Sequence, residues 1–281
     1  MSFDRFKKAC SIARSHASVR PAVGAYSRIR ARFRRGGMVL TDATGLMEAI
    51  LGRPTERSHE DYRLELKQNK VLRGRFTAMA ELHDNPKFAD YDKLLDGLTG
   101  QIALFYGLLR EVRPDLVVET GTATGSMTAI ELAALEKNGG GRLISIDLPA
   151  SAGALTMDST VAEDDTGFFI PPEYRPMWKY RKGDAKLLVP RVLADEAVDV
   201  FIHDSLHTRS HMIFEYAVAR ALLRPGALIL SDDVLWNNGF DDFLMMNELT
   251  GFAPFCNPNI AGVVNRFDDF EAGVGTGIVR T

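Results

Sequence analysis

The stretch "DLVVETGTATGSMTAIELAALEKN", Asp115–Asn138, decides the fold. Its opening residues form a short apolar run bounded by charge, the mark of a buried strand. Gly121 and Gly125 then bracket a tight turn. "MTAIELAALEKN" reads as a helix closed by Gly139–Gly141. Strand, glycine turn and helix make the first half of a β-α-β unit.

Working outward, the same alternation repeats. "RLISID" (Arg142–Asp147), "WKYRKGD" (Trp178–Asp184), "VDVFIHD" (Val198–Asp204) and "ALILSDD" (Ala227–Asp233) read as further strands. Helices fall over Ala185–Leu193 and within "HTRSHMIFEYAVARALL" (His207–Leu223), and Pro225 and Gly226 turn the chain into the fifth strand. The expected fold is α/β: a Rossmann-like, doubly wound, mostly parallel sheet with helices on both faces. The tail, "GFAPFCNPNIAGVVNRF" and "GVGTGIVRT", predicts short β segments that add an antiparallel C-terminal strand at one side.

Upstream the texture differs. Residues 1–95 predict a helical N-terminal extension, and residues 96–281 the α/β domain. "HEDYRLELKQNKVLRGRFTAMAELH" (His59–His83) reads as one amphipathic helix, with Tyr62, Leu66, Val71, Phe76 and Met79 near helical spacing. Residues 1–40 form a basic arm with ten Lys or Arg against one acid, Asp4. The net charge of the chain is −3, so the remainder carries −12. That balance, with no basic-aromatic platform, argues against a nucleic-acid partner. The arm reads as a solvated or oligomer-packing helix, and the N-terminal helices as a natural homo-oligomer interface.

Cys10 and Cys256 are the only cysteines, too few for a disulfide framework. No apolar run reaches the ~18 residues of a membrane span, and no secretory h-region is present. A cytoplasmic protein is expected.

In an open α/β sheet, ligands bind outside the carboxyl ends of the strands. Those ends carry Glu119, Asp147, Asp184, Asp204, Asp232 and Asp233. A strand-end Asp often serves only as a helix cap. So many on one edge create a field hostile to phosphate and receptive to cations. The turn has G-x-x-x-G spacing, with Thr122 and Ser126 beside Gly121 and Gly125, and lacks the third glycine of a dinucleotide fingerprint. Asp147 lies 22 residues past Gly125, where an acid accepts from ribose hydroxyls. Glu119 would repel a pyrophosphate and suits an ammonium. Asp184 falls where an acid meets an adenine amino group, and Asp204 ends a strand facing the same crevice. S-adenosylmethionine has a ribose, an ammonium and no phosphate, and is the expected cofactor.

"VVETGTATGSMTAIELA", then "LISID", then "FIHDSLHTRSHMIFEYAVARALLRPGALILSDDV" resembles the class I S-adenosylmethionine-dependent methyltransferases over roughly Leu98–Thr281. Within them the chain is similar to O-methyltransferases, including metal-dependent enzymes that tailor the sugars of natural products. The resemblance implies methyl transfer to the hydroxyl of a small molecule.

Asp204, Asp232 and Asp233 stand at adjacent strand ends, where three carboxylates are unfavourable unless a cation joins them. Oxygen ligands suit Mg²⁺. The resemblance places metal ligands at these same three positions. It also places a general base at His207, which with an ordinary pKa near 6.5 would take a hydroxyl proton at neutral pH. His203, His207 and His211 do not share one helix, so they make no three-histidine zinc face. His203 reads as a structural strand-end residue and His211 as a helix-surface or packing residue.

The long connection Ser151–Tyr174 reads as a lid. Trp236 and Phe240 would pack against substrate, and Asn237 and Asn238 would bond its hydroxyls, although packing and turn formation explain them equally. Three alternatives stand beside the main reading: a metal-independent methyltransferase, an NAD(P)-dependent oxidoreductase and a non-catalytic binding protein.

Overall fold

The computed structural model describes residues 43–82, 90–97, 101–149, 161, 163–234, 237–247, 251–252 and 277–280. The basic arm, both cysteines and Trp236 lie outside them.

Five parallel strands build the centre of the sheet: β1 (Leu116–Thr120), β2 (Arg142–Asp147), β3 (Trp178–Lys182), β4 (Val200–His203) and β5 (Leu228–Ser231). β1, β4 and β5 are buried at every position, which is why they read as continuous apolar runs without alternation. Two short strands extend the sheet beyond β5: β6 (Gly251–Phe252) and β7 (Gly277–Arg280). β7 runs antiparallel to β5, and β6 antiparallel to β7. The order is β3-β2-β1-β4-β5-β7-β6, so the direction of winding reverses between β1 and β4.

On one face lie α1 (Ala43–Leu51), α2 (His59–Lys67), α3 (Lys70–Leu82), α4 (Tyr91–Gly97), α5 (Gln101–Val112) and α6 (Ser126–Asn138). Leu46, Tyr62, Phe76 and Leu94 share a core there with Leu108, Ile130, Val117 and Val200, so the N-terminal helices and the sheet bury one continuous surface. Glu111 on α5 fastens this layer. It accepts from Tyr62 Oη at 2.7 Å and Arg53 Nη1 at 2.9 Å. The opposite face carries α7 (Ala185–Asp195), α8 (Arg209–Leu222) and α9 (Gly239–Met246) over Val118, Ile146, Phe201 and Ile229.

The single helix expected over His59–His83 is two. Ser58 and Asp61 form a reciprocal capping box that starts α2. α2 ends at Lys67, and Asn69 Oδ1 then accepts from Leu72 N at 3.0 Å, capping the start of α3. The break rotates the apolar stripe, so Leu72 is buried while Val71 is 37% exposed.

Candidate active site

At the reversal point the turns after β1 and β4 lie side by side. Gly121 has φ +86°, and a Cβ there would stand 1.9 Å from the backbone oxygen of Asp204. Only glycine permits that approach. Asp204 N in turn donates to Thr120 O at 2.9 Å. The glycine turn and the Asp204 turn are therefore one rigid unit.

Within the turn, Ala123 has φ 44° and its N–H donates to Asp147 Oδ2 at 2.9 Å. The other oxygen of Asp147 accepts from Leu148 N at 2.8 Å. Gly125 precedes α6 in a left-handed conformation with no side-chain cap, so Ser126 opens the helix with first-turn N–H groups left for a ligand. Thr122 is buried and its Oγ1 has no hydrogen-bond partner.

The connection between β2 and β3 is fastened where it is described. Gly167 N donates to Ala123 O and Phe169 N to Thr124 O, both at 2.9 Å. Gly125 packs so closely on Gly167 that a Cβ would come within 2.7 Å of its Cα. The stretch 163–170 is thus a strap pinned to the glycine turn, in place of the lid expected over Ser151–Tyr174; residues 151–160 lie outside the described residues.

Glu119 does not project toward the crevice. Its Oε1 accepts from Thr128 Oγ1 at 2.7 Å and from Ser145 Oγ, and Ser145 Oγ accepts from Trp178 Nε1 at 2.6 Å. Glu131 on α6, overlooked in the sequence, hydrogen-bonds the same carboxyl. Burial pushes Glu119 up to about 6, and burial together with the Glu119 charge pushes Glu131 well above the usual range. Asp184 is exposed and its Oδ1 accepts from Lys186 N at 2.8 Å, capping α7.

The acids after β4 and β5 surround His207. Asp204 Oδ1 lies 3.7 Å from His207 Nε2, and Asp233 Oδ2 lies 3.7 Å from His207 Nδ1. Asp232 Oδ1 accepts from Asp233 N at 2.8 Å, which holds Asp233 at the unusual φ of 49°. Burial, then Asp232 and Asp233, raise Asp204 well above the carboxylate range. Burial and Asp232 push Asp233 up to about 8. No group of three or more His, Cys, Asp or Glu among the described residues is already drawn together as a metal shell. The chemistry of the donor set nevertheless fits a divalent cation, because oxygen ligands suit such an ion and the Asp232 and Asp233 charges each raise Asp204.

His207 differs from an ordinary imidazole. It is 16% exposed, its Nε2 lacks a hydrogen-bond partner, and burial followed by His203 pushes its pKa down to about 3. An imidazole with that pKa is neutral at physiological pH, where a pKa of 6.5 would leave roughly a tenth to a quarter of it protonated. Asn237 holds it in place: Nδ2 donates to His207 O at 3.1 Å while Oδ1 accepts from Gly239 N at 2.6 Å. That amide is therefore occupied within the protein, not free for a substrate. Phe240 likewise packs edge-on against Tyr216 in the core, with ring centroids 5.9 Å apart.

His211 is buried, so of the helix-surface and packing roles expected of it the structure shows packing. With His203 it binds Glu215, a fully buried residue that sequence reasoning passed over. The available signal was the four-residue spacing of His211 and Glu215, which places both on one face of α8.

Residues 118–234 match the family model described as a methyltransferase domain. A protein from Klebsiella pneumoniae assigned as an O-methyltransferase shares the fold at a TM-score of 0.51 and 17% identity, covering 76% of this chain and 90% of its own. The O-methyltransferase TomG from Streptomyces achromogenes, involved in tomaymycin synthesis and crystallised with SAM, aligns at a TM-score of 0.49 and 17% identity, over 76% and 91%. No curated protein matches the chain. Over residues 118–234 the chain is thus similar to methyltransferase domains, and it shares its fold with the Klebsiella pneumoniae protein. Among the described residues no helix is long and apolar enough to cross a membrane.

Proposed function

We propose that this protein transfers the methyl group of S-adenosylmethionine to a hydroxyl of a small molecule, with His207 as the proton acceptor. The observation that carries the reading is the position of His207: a neutral imidazole with an unpartnered Nε2, flanked by Asp204 and Asp233 beside the glycine turn.

The cofactor would lie in the crevice between the β1 and β4 turns. Asp147 sits at the ribose position, Thr122 and Ser126 offer polar atoms at the start of α6, and Asp184 stands at the adenine end. Glu119 supports the turn from beneath and contributes its charge from within. The sulfonium is already a good leaving group, so the protein supplies orientation and deprotonation. The acceptor hydroxyl gives its proton to His207 Nε2, and the oxygen attacks the methyl carbon in line as the carbon–sulfur bond breaks. The imidazolium formed is stabilised by the neighbouring carboxylates when they are ionised.

Asp204, Asp232 and Asp233 would hold Mg²⁺. When bound, the ion lowers the pKa of an acceptor hydroxyl and favours substrates with two adjacent oxygens. A sugar diol or a catechol, as in natural-product tailoring, meets that requirement. The test follows tritiated methyl transfer from S-adenosylmethionine to a panel of vicinal diols and catechols, with and without chelator. The proposal predicts labelled ethers, with turnover lost on chelation and lowered ~10²–10⁴-fold in His207→Ala. Unchanged turnover in His207→Ala would remove the base. Turnover indifferent to chelator would favour a metal-independent methyltransferase.

A further inference from the structure

Glu215 sits at the centre of a buried network that the proposed mechanism does not use. Its carboxylate is fully buried, yet each oxygen accepts two hydrogen bonds. Oε2 accepts from Thr120 Oγ1 at 2.7 Å and His203 Nδ1 at 2.7 Å. Oε1 accepts from Ser205 Oγ at 2.9 Å and His211 Nε2 at 2.7 Å. These four donors come from the end of β1, the end of β4, the turn after β4 and α8 itself. One side chain thus ties down both edges of the crevice in which the glycine turn and the Asp204 turn meet.

The network also reaches His207. A carboxylate that remains charged can only accept, so His203 must present its Nδ1–H to Glu215. The two histidines hold Glu215 well below the usual carboxylate range despite its burial. His203 Nε2 then lies buried without a hydrogen-bond partner. The His203 ring is wedged between Tyr216, at 5.3 Å and 75°, and His207, at 5.2 Å and 85°. The His207 ring therefore rests edge-to-face against an imidazole whose tautomer and orientation are set from the other side. Ser205, held by the same carboxylate, lies in the turn between Asp204 and His207.

From this geometry we infer that Glu215 is a positioning residue for His207, acting through His203 and through the Asp204–His207 turn. The inference deepens the proposed role of His207 and rests on it. A partner that fixes the tautomer and plane of an imidazole is a recurring means of orienting a base. Here the orienting carboxylate stands one residue further back, with His203 as the intermediary.

The test uses the full chain with S-adenosylhomocysteine bound and ¹⁵N-labelled histidine, read by long-range nitrogen–proton correlation. The expected result in the parent protein is a proton on His203 Nδ1. In Glu215→Gln, His203 loses this single state and the His207 ring signals shift or broaden, while affinity for S-adenosylhomocysteine changes less than about two-fold. Where Glu215→Gln does not fold, Glu215→Asp keeps the charge, withdraws the oxygens by one methylene and is expected to shift the same signals. A bare His203 Nδ1 in the parent protein overturns the inference, as do His207 signals that are identical in parent and variant. Failure of S-adenosylhomocysteine to bind the parent protein would instead remove the underlying methyltransferase reading, so the two failures are distinguishable.

Discussion

Two groups of carboxyls near the end of β4 have opposite characters. Glu215 is enclosed by four donors and stays charged. Asp204 is raised by desolvation and then by Asp232 and Asp233, Asp233 by desolvation and then by Asp232, and His207 lies 3.7 Å from both Asp204 and Asp233. Glu215 is wholly enclosed, whereas the side chains of Asp204 and Asp233 are 33% and 24% exposed. Where donors match the lone pairs, a carboxylate becomes a clasp. Where carboxyls crowd one another their proton affinity rises, and a cation that joined them would relieve the repulsion. The first group gives rigidity to the second.

Breaking the clasp should give the largest effect on stability. Glu215→Ala leaves two imidazoles and two hydroxyls without their acceptor in the core, and removal of one partner from such a buried pair costs about 3–5 kcal/mol. Thermal unfolding of parent and variant checks this. A loss under about 1 kcal/mol would mean the network is not the constraint described. Gly121→Ala should come next. It combines a left-handed φ with a collision against the Asp204 backbone, so a loss of at least ~1–3 kcal/mol is expected. Its S-adenosylhomocysteine affinity and Mg²⁺ affinity should fall together, because the two turns move as one. Loss of only one of these would separate them.

The unrelieved group should respond in the opposite direction. Asp233 is pushed up to about 8, against ~3.9 for an unfolded Asp. The folded state therefore binds that proton more tightly than the unfolded state. Stability from this group is present at low pH and is lost as pH rises from about 4 through 8. Asp233→Asn should accordingly raise the melting temperature of metal-free protein at pH 8, by on the order of 1 kcal/mol or roughly 2–4 °C, while weakening Mg²⁺ binding. A lower melting temperature would show that Asp233 is already compensated. The smallest effect is on pH alone: Mg²⁺ affinity in the parent protein should rise between pH 6 and pH 9 as the carboxyls ionise. A flat profile would argue that the acids are ionised throughout.

The central sheet was legible because buried parallel strands appear as bare apolar runs, and glycine, proline and acids punctuate them. "DLVVET", "RLISID" and "VDVFIHD" each announce a strand, and the last two also the acid that ends it. Topology places Asp147 and Asp204 at the carboxyl edge of the sheet, whereas His207 is singled out through the family resemblance. Glu215 and Glu131 were not legible. Each lies on a helix away from the strand ends, and their role emerges only when other elements close on them: Thr120, one partner of Glu215, is 95 residues away. Nor does sequence spacing reveal direction. Glu119 was assigned to the crevice from its place in the strand, but its side chain turns inward to Thr128 and Ser145. The break between α2 and α3 was missed because Asn69 interrupts a stripe whose periodicity continues across it.

The most direct measurement is calorimetric titration of Mg²⁺ into metal-stripped protein saturated with S-adenosylhomocysteine, with NAD⁺ as the control cofactor. The account predicts binding of S-adenosylhomocysteine and not NAD⁺, followed by a Mg²⁺ heat that disappears in the Asp232→Ala/Asp233→Ala double variant. A protein that binds S-adenosylhomocysteine but shows the same Mg²⁺ heat with and without those acids would contradict the cation site. A protein that binds NAD⁺ instead would contradict the methyltransferase reading itself.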